Sequence, residues 1–309
     1  MRKFILKGVL FITSLYSVLF LVDVFISKNI QPAWDLYGWQ ELYSGKTNAD
    51  LLIFGSSRGQ QSFNVKMIED SLKIKTYNYG LINARIQISY LRLLEHLRLC
   101  KQKPKYVTLE IDFFTFENIN NISSHWQIFP YMLYNNNMRK LTSHMEGYKP
   151  SYYFCPMIRY LGNLINLVSN SKKGIPQYYY KGSYLLRSHF DTRWKAGNDT
   201  SRMSIEIDSN KITLLYDFIN TCKENDIKLN LVYAPEFYYV THKIINRDSI
   251  TNYIKSIAEK NGIPFKDISH PSFCADTAYF HNMRHVNFRG ADKFTSEYYM
   301  PWIKELYGL

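Results

Sequence analysis

Two adjacent serines stand where an apolar run ends, a place in the chain that suits a nucleophile. The run Leu51–Phe54 leads directly into Gly55, Ser56 and Ser57, and Arg58 follows. A short apolar run that stops at glycine is typical of a buried strand, so the serines are expected at the edge of a sheet. A hydroxyl at that edge can attack a substrate, or it can cap the helix that follows. The stretch by itself leaves both roles open.

Two further stretches carry the other groups that acyl transfer needs. Asn78 and Gly80 end a second predicted strand, where glycine allows the backbone to approach a reacting centre closely. Near the C-terminus, Asn282 precedes His285 by three residues, and His285 stands in a loop ahead of a predicted helix. Histidine is the most frequent general base, and backbone N–H groups stabilise a developing oxyanion.

The spacing of two histidines raises a competing interpretation, a metal site. His281 and His285 are four residues apart, as two ligands on one face of a helix would be. The stretch His-Asn-Met-Arg-His lacks the glutamate of a metalloprotease helix, so metal binding is the less favoured interpretation. No metal and no cofactor is expected.

The elements that must position these residues alternate between strand and helix. Strands are predicted at 50–55, 75–79, 106–114, 227–235 and 264–268, and helices at 64–72, 87–100, 208–225, 249–261 and 290–306. Asn64 is the expected N-cap of the first of these helices. Alternation of this kind predicts an α/β fold with a central parallel sheet covered on both faces, a three-layer sandwich. Functional groups then gather beyond the carboxyl ends of the strands.

One segment interrupts the alternation, and another precedes it. Residues from about 115 to 205 are rich in aromatic residues and asparagine and are interpreted as a mostly helical insertion. The N-terminal stretch Phe4–Ile26 approaches the ~20 residues that span a bilayer. The predicted organisation is therefore a membrane helix at 1–27, followed by one α/β domain at 28–309 that carries the insertion.

The N-terminal stretch is either an uncleaved signal anchor or a cleaved signal peptide. Its outer end, Phe25-Ile26-Ser27-Lys28, offers no small-x-small cleavage site, which favours the anchor. Arg2, Lys3 and Lys7 precede the apolar run and predict a cytoplasmic N-terminus with the rest of the chain outside.

Composition narrows the class of partner. The chain has 309 residues, 46% of them hydrophobic, and a net charge of +12. Such a chain is globular, and its charge favours an anionic partner such as a phospholipid surface or an acidic polymer. The basic residues are scattered and form no nucleic-acid motif, so no nucleic acid is expected. Four cysteines, Cys100, Cys155, Cys222 and Cys274, form no CxxC motif, and their pairing stays open.

Taken together, the three stretches resemble the SGNH/GDSL hydrolase superfamily, in particular its membrane-anchored branch in cell-envelope and exopolysaccharide O-acylation. The resemblance covers about 48–115 and 205–309, with the blocks in the family's order, and implies a flavodoxin-like sheet. It maps the nucleophile onto Ser57, the oxyanion glycine onto Gly80 and the catalytic histidine onto His285. The N–H of Ser57 would be the second oxyanion donor.

The chain departs from the family pattern in two places. The Gly-x-Asn-Asp block is absent, since the third strand ends in Glu110-Ile111-Asp112, and Asn78 is a possible substitute for the missing asparagine. The acidic partner of the histidine is replaced by Asn282, and Asp276 is an alternative acid. In serine proteases the same change of acid to amide lowers turnover about 10⁴-fold, yet cysteine proteases work with asparagine there.

The resemblance implies a serine esterase or O-acyltransferase that acts on acyl groups of an envelope or extracellular polysaccharide through an acyl-serine. Its partners would be the acylated glycan or acyl donor, the membrane and a membrane acyltransferase. The alternative is a non-catalytic SGNH-fold protein that binds glycan or organises such a complex. The two departures favour this alternative, and the retained serine, glycine and histidine oppose it.

Overall fold

The chain divides into two units in a computed structural model that describes residues 1–29, 34–117, 121–161, 175, 177–191, 202–241 and 243–309. The smaller unit combines Met1–Gln40 with Ile119–Ile175, and the larger combines Glu41–Asn118 with Pro176–Leu309. All the candidate site residues belong to the larger unit.

A parallel sheet of five strands forms the centre of the larger unit. The described chain has seven strands in all: β1 Leu51–Phe54, β2 Thr76–Asn78, β3 Tyr106–Glu110, β4 Tyr179–Tyr180, β5 Ser183–Tyr184, β6 Lys228–Tyr233 and β7 Phe265–Asp267. The sheet has the order β2-β1-β3-β6-β7, and β4 and β5 form a separate antiparallel hairpin. Counted along the sheet, this is the flavodoxin-like order, with its switch point between β1 and β3. The predicted parallel α/β fold is confirmed.

Helices account for most of the remaining described structure. They are α1 Arg2–Asn29, α2 Trp34–Tyr43, α3 Ser57–Ser62, α4 Val65–Leu72, α5 Ile86–Leu99, α6 Asn136–Thr142, α7 Ser151–Phe154, α8 Ser209–Glu224, α9 Tyr238–Thr241, α10 Arg247–Lys260, α11 Phe288–Lys293 and α12 Met300–Tyr307. Asn64 caps α4 as predicted, because its side chain accepts a hydrogen bond from the Met67 N–H.

The helices cover both faces of the sheet, because right-handed crossovers on the two sides of β1 place them on opposite faces. Leu51 and Ile53 point into a core that includes residues of α4, α11 and α12. Phe54 points the other way and meets Phe218 of α8 at a ring distance of 5.6 Å. Such fully buried side chains each stabilise the fold by about 1.5–3 kcal/mol.

Several predicted boundaries differ from the structure by two or more residues, and a local cap accounts for two of them. β3 ends at Glu110, since Asp112 caps a 3₁₀ turn at Phe113–Phe116 instead of extending the strand. The last helical run begins at Phe288 rather than Gly290, because Asn287 is its N-cap. A π-helical segment at Phe294–Tyr299 then separates α11 from α12, just before Pro301, which has no N–H to donate.

The described part of the aromatic-rich segment consists largely of short helices. In addition to α6 and α7, it contains 3₁₀ helices at Ile122–Tyr131 and Ile158–Tyr160, and the β4–β5 hairpin lies near its end. Residues 118–120, 162–174, 176 and 192–201 of this segment lie outside the described part of the chain.

Helix α1 belongs to the smaller unit and is long and apolar enough to cross a membrane. A signal sequence shares these properties, so length and composition by themselves do not distinguish a signal sequence from a membrane-spanning helix. Asp23, the acidic residue near the end of α1, is 1% exposed and makes a two-pronged ion pair with Arg159, also 1% exposed. The Met157 N–H also donates to Asp23, at 2.7 Å. The end of α1 is therefore integrated into the fold of its unit.

The four cysteines are free thiols, with Cys222 and Cys274 buried. Burial raises the pKa of each of these two thiols to about 12, so neither thiolate is populated at neutral pH.

Candidate active site

The turn after β1 separates the roles of the two serines. Ser56 is the N-cap of α3, and its hydroxyl accepts a hydrogen bond from the Arg58 N–H at 3.1 Å. Ser57 is the first residue of α3, and its hydroxyl is directed elsewhere. Of the two roles left open by the sequence, Ser56 therefore has that of the helix cap, and the Ser57 hydroxyl is not used for capping.

Gly55 makes this turn possible. Its φ of +145° lies where side chains are rarely tolerated, and a Cβ at this position would lie 2.7 Å from Glu110 Oε2. The tight turn packs the serine pair against the end of the neighbouring strand β3.

Ser57, His285 and Asn282 form a hydrogen-bonded chain. Ser57 Oγ lies 2.8 Å from His285 Nε2, although 228 positions separate the two residues in sequence. His285 Nδ1 lies 3.0 Å from Asn282 Oδ1. The arrangement is that of a nucleophile, a base and a group that orients the base.

The Asn282 oxygen also fixes the loop that carries the histidine. It accepts hydrogen bonds from the backbone N–H groups of Arg284 and His285, at 2.9 and 3.0 Å. Because these donors identify the atom as the amide oxygen, His285 Nδ1 must carry the proton that faces it. Nε2 is then unprotonated and can accept the proton of Ser57.

The electrostatic surroundings disfavour the protonated form of His285. Desolvation of the ring is the largest cause and lowers the pKa of His285 to about 3. The positive charges of Arg58, His281 and Arg284 act in the same direction. The base is therefore neutral over the physiological range, and no carboxylate within hydrogen-bonding distance in the described part of the chain stabilises its imidazolium form.

Asp276, the alternative acid, has a different local role. Its carboxylate accepts from the Ala278 N–H at 2.8 Å and caps the 3₁₀ turn Thr277–Tyr279. The structure thus places the side chain of Asn282, and not that of Asp276, against His285.

Asn78 and Gly80 lie against α3, the helix that begins at Ser57, but the donor of each already has a hydrogen-bond partner. Asn78 Nδ2 donates to the Gly59 carbonyl at 2.8 Å, and the Gly80 N–H donates to Asn78 Oδ1 at 2.8 Å. A Cβ at Gly80 would lie 2.3 Å from the Gln60 nitrogen, so the close approach requires glycine. The role of both residues in an oxyanion hole stays a prediction.

A buried charge network that the sequence interpretation missed surrounds Arg58. The Arg58 guanidinium donates to Glu236 at 2.9 Å and to the Ala234 carbonyl. Glu236 also accepts from Arg247 at 3.0 Å, and both guanidinium groups lie 4.9 Å from the ring centre of Tyr233. Arg58 thereby ties the helix of Ser57 to the end of β6.

Glu110 completes the surroundings of the serine turn. It is fully buried, and its Oε2 accepts from the Ser56 N–H and hydroxyl, both at 3.3 Å. Burial, followed by the charge of Asp112, raises the pKa of Glu110 to about 8. Glu110 is thus mainly protonated at neutral pH. A signal for the network was present in the sequence, because charged residues follow Ser57, end β3 and follow β6, all at one edge of the sheet.

Comparisons with solved structures return distant neighbours. A proposed acylhydrolase from Bacteroides fragilis NCTC 9343 has 12% identity and a TM-score of 0.40, with 83% of this chain and 87% of that chain covered. A GDSL-like lipase from Bacteroides thetaiotaomicron VPI-5482 has 11% identity and a TM-score of 0.42, with 88% and 97% covered. No protein-family model and no curated protein matches the sequence. The chemistry of the site therefore rests on the geometry of this chain.

Proposed function

We propose that this protein is an SGNH-type serine esterase or O-acyltransferase that works through an acyl-serine. The observation that carries the proposal is the chain Ser57–His285–Asn282, with hydrogen-bond distances of 2.8 and 3.0 Å. The three motifs and their order along the chain, which resemble those of the SGNH superfamily, support it independently.

In the first half-reaction, Ser57 Oγ attacks an acyl carbonyl carbon while its proton passes to His285 Nε2. The N–H of Ser57 would stabilise the resulting oxyanion. The Gly80 N–H can join it only if its hydrogen bond to Asn78 opens. Collapse of the intermediate breaks the bond to the leaving oxygen, which takes the proton from His285, and leaves an acyl-serine.

In the second half-reaction, an acceptor hydroxyl gives its proton to His285 and attacks the acyl carbon. The bond between the acyl carbon and Ser57 Oγ then breaks, and Oγ takes the proton from His285, which restores the free serine. Water as acceptor makes the protein an esterase, and a sugar hydroxyl makes it an O-acyltransferase. The net charge of +12 and the resemblance favour an acidic envelope or extracellular polysaccharide as the substrate. In this proposal, a membrane acyltransferase delivers the acyl donor.

Helix α1 would hold the protein on the membrane as an uncleaved anchor. The buried pair between Asp23 and Arg159 supports retention, because cleavage after Asp23 would remove its carboxylate and leave the Arg159 guanidinium buried without a partner. The basic residues Arg2, Lys3 and Lys7 favour a cytoplasmic N-terminus, with the remainder of the chain on the far side of the membrane.

A non-catalytic role, as a glycan-binding or scaffold protein of an acyl-transfer complex, is the second candidate. It is favoured by the absence of a carboxylate beside His285 among the described residues and by the low pKa of this base. It is also favoured by the hydrogen bond that occupies the Gly80 N–H.

Labelling with an active-site serine phosphonate separates the two candidates. The full-length protein should take up one equivalent at Ser57. Ser57→Ala should abolish labelling, whereas Ser56→Ala, the matched control one residue away, should retain it. Wild-type protein that is neither labelled nor active on an activated acyl ester would refute the enzymatic proposal and leave the scaffold role. Labelling at Ser56 would refute the assignment of the nucleophile.

A further inference from the structure

One face of α1 is built to bind the rest of its own unit. Tyr16, Phe20, Asp23 and Ser27 are spaced by four, three and four residues and therefore lie on the same side of the helix. Asp23 pairs with Arg159 as described above, and the Ser27 hydroxyl lies 2.6 Å from that of Tyr160. The contacts continue toward the N-terminus, into the part of the helix that is otherwise apolar and exposed.

The two contacts nearest the N-terminus bring exposed aromatic side chains alongside the helix. The hydroxyls of Tyr16 and Tyr134 are hydrogen-bonded to each other, and Tyr16 also donates to the Phe154 carbonyl at 2.6 Å. The rings of Phe20 and Tyr134 are 6.5 Å apart. Tyr134 and Phe154 are nevertheless 51% and 50% exposed. They thus lie at the level of Tyr16 and Phe20, well short of the C-terminal end of α1.

The depth of this level follows from the geometry of the helix. If Arg2 and Lys3 mark one boundary of the hydrocarbon, and the Lys7 side chain extends back toward the headgroups, the thickness of about 30 Å is crossed by about 20 residues. The hydrocarbon then ends near Val22, one residue before the buried Asp23. Tyr16 and Phe20 then lie roughly 3–9 Å inside the boundary on the C-terminal side. This range overlaps the depth of about 5–10 Å at which interfacial elements bury their apolar side chains.

The residues around this aromatic pair suit the same boundary. Arg139 lies over the ring of Tyr153 at 4.7 Å, and the Tyr153 and Tyr134 rings are 5.9 Å apart. Arg139 and Lys140 are exposed on α6. Aromatic rings at the headgroup level, with cations nearby, are typical of membrane interfaces.

We infer that Tyr134 and Phe154 form a lipid-contacting surface that inserts into the membrane leaflet on the C-terminal side of α1. The occupant of this surface is a phospholipid bilayer, at the boundary between headgroups and acyl chains. The inference rests on the membrane anchor proposed above. The unit is then attached to the bilayer at two places, the spanning helix and this aromatic pair, which limits its rotation about α1.

Photolabelling of the full-length protein in phosphatidylcholine–phosphatidylglycerol vesicles tests the inference. A phospholipid with a diazirine near the glycerol end should modify Tyr134 and Phe154, located by mass spectrometry. A lipid with the diazirine near the end of the acyl chain should modify the middle of α1 around Phe11. Tyr253, 45% exposed on α10, is the internal control and should show at least fivefold less modification by the shallow probe.

The results distinguish the two proposals. If α1 is labelled but Tyr134 or Phe154 is modified no more than Tyr253, the lipid-contacting surface is overturned and the anchor is left intact. Absence of labelling in α1 would refute the anchor itself and, with it, the surface. As a second measurement, Phe154→Asp should lower the modification of Tyr134 at least threefold, whereas Tyr253→Asp should leave it unchanged. Equal modification of Tyr134 in these two variants would also overturn the inference.

Discussion

His285 Nδ1 lies 3.0 Å from the side-chain oxygen of Asn282, and the opposite ring nitrogen lies 2.8 Å from the hydroxyl of Ser57. The asparagine selects the tautomer that can accept the serine proton, but it contributes no negative charge to stabilise the imidazolium that forms. The base is correctly oriented and electrostatically weak, and this combination governs the first two predictions.

Asn282→Asp should raise turnover, because a carboxylate beside Nδ1 favours the imidazolium that forms as Ser57 attacks. In serine proteases the opposite change lowers turnover about 10⁴-fold, and here a rise of roughly tenfold or more is expected. The pKa of His285, lowered to about 3 in the wild type, should increase. The rate on an activated acyl ester should therefore be nearly independent of pH from about 5 to 7 in the wild type. As the pH is lowered, the variant should begin to lose activity at a higher pH than the wild type does. Asn252→Asp, an equal change of charge at an exposed position on α10, should alter neither property.

Asn282→Ala should lower turnover about 10²-fold, because His285 loses the acceptor that fixes its tautomer. Asp276→Ala removes a cap of a 3₁₀ turn, so it should cost about 1 kcal/mol of unfolding free energy and change turnover less than threefold. Steady-state kinetics and urea unfolding of both variants check this pair. A severe loss of turnover in Asp276→Ala, with Asn282→Ala close to wild type, would assign the orienting role to Asp276.

Arg58→Leu should destabilise the protein strongly. Removal of the Arg58 guanidinium leaves Glu236 buried with only one of its two guanidinium partners. Loss of one member of a buried pair lowers the free energy of unfolding by about 3–5 kcal/mol. Thermal unfolding should show a large fall in Tm, whereas Lys66→Ala, which breaks an exposed pair on α4, should leave Tm nearly unchanged. Arg58→Lys should recover only part of the loss, since lysine cannot reproduce the planar contacts to Glu236 and the Ala234 carbonyl. Similar Tm values for Arg58→Leu and Lys66→Ala would show that the network does not hold α3 in place.

Glu110 should make the protein less stable as the pH rises. Its pKa is about 8 in the folded chain against an ordinary value of 4.5, so the folded state binds more protons than the unfolded state between these values. Its contribution to stability is fully present below about pH 4.5 and is lost as the pH rises through about 8. Glu110→Gln, which resembles the protonated acid, should remove this part of the pH dependence of urea unfolding. An unchanged slope between pH 5 and 8 in the glutamine variant would contradict the assignment of a protonated Glu110.

Helix α1 should remain in the mature protein as part of its folded unit. Sequencing of membrane-extracted protein should find an N-terminus ahead of residue 20, and a new terminus after residue 20 would establish a removed signal.

Asp23→Leu and Arg159→Leu should each lower the yield of folded protein, because each leaves the other charge buried and unpaired. The double variant should regain much of the loss, since replacing both members of a buried pair is often tolerated. If the single variants behave like wild type, the pair is not part of the fold.

The sequence by itself determined the features that depend on residues close together in the chain. The short runs that end at Gly55 and Gly80, together with the helical spacing of apolar residues between the strands, are sufficient to predict the strands and helices of a parallel sheet. The local arrangement of Asn282 and His285 could also be predicted, because three residues of separation bring the amide oxygen within reach of both the backbone and the ring. These relations depend on bond geometry and hydrogen bonding over a few residues.

Only the tertiary structure decided which distant groups meet. The hydroxyls of Ser56 and Ser57 are alike in sequence, and the direction of the turn makes one a helix cap and brings the other to a histidine 228 positions away. The contact between Arg58 and Glu236 spans 178 positions, and that between Asp23 and Arg159 spans 136. A buried charge is stable only beside its partner, and the partner is set by how elements pack rather than by the residues next to it in the chain.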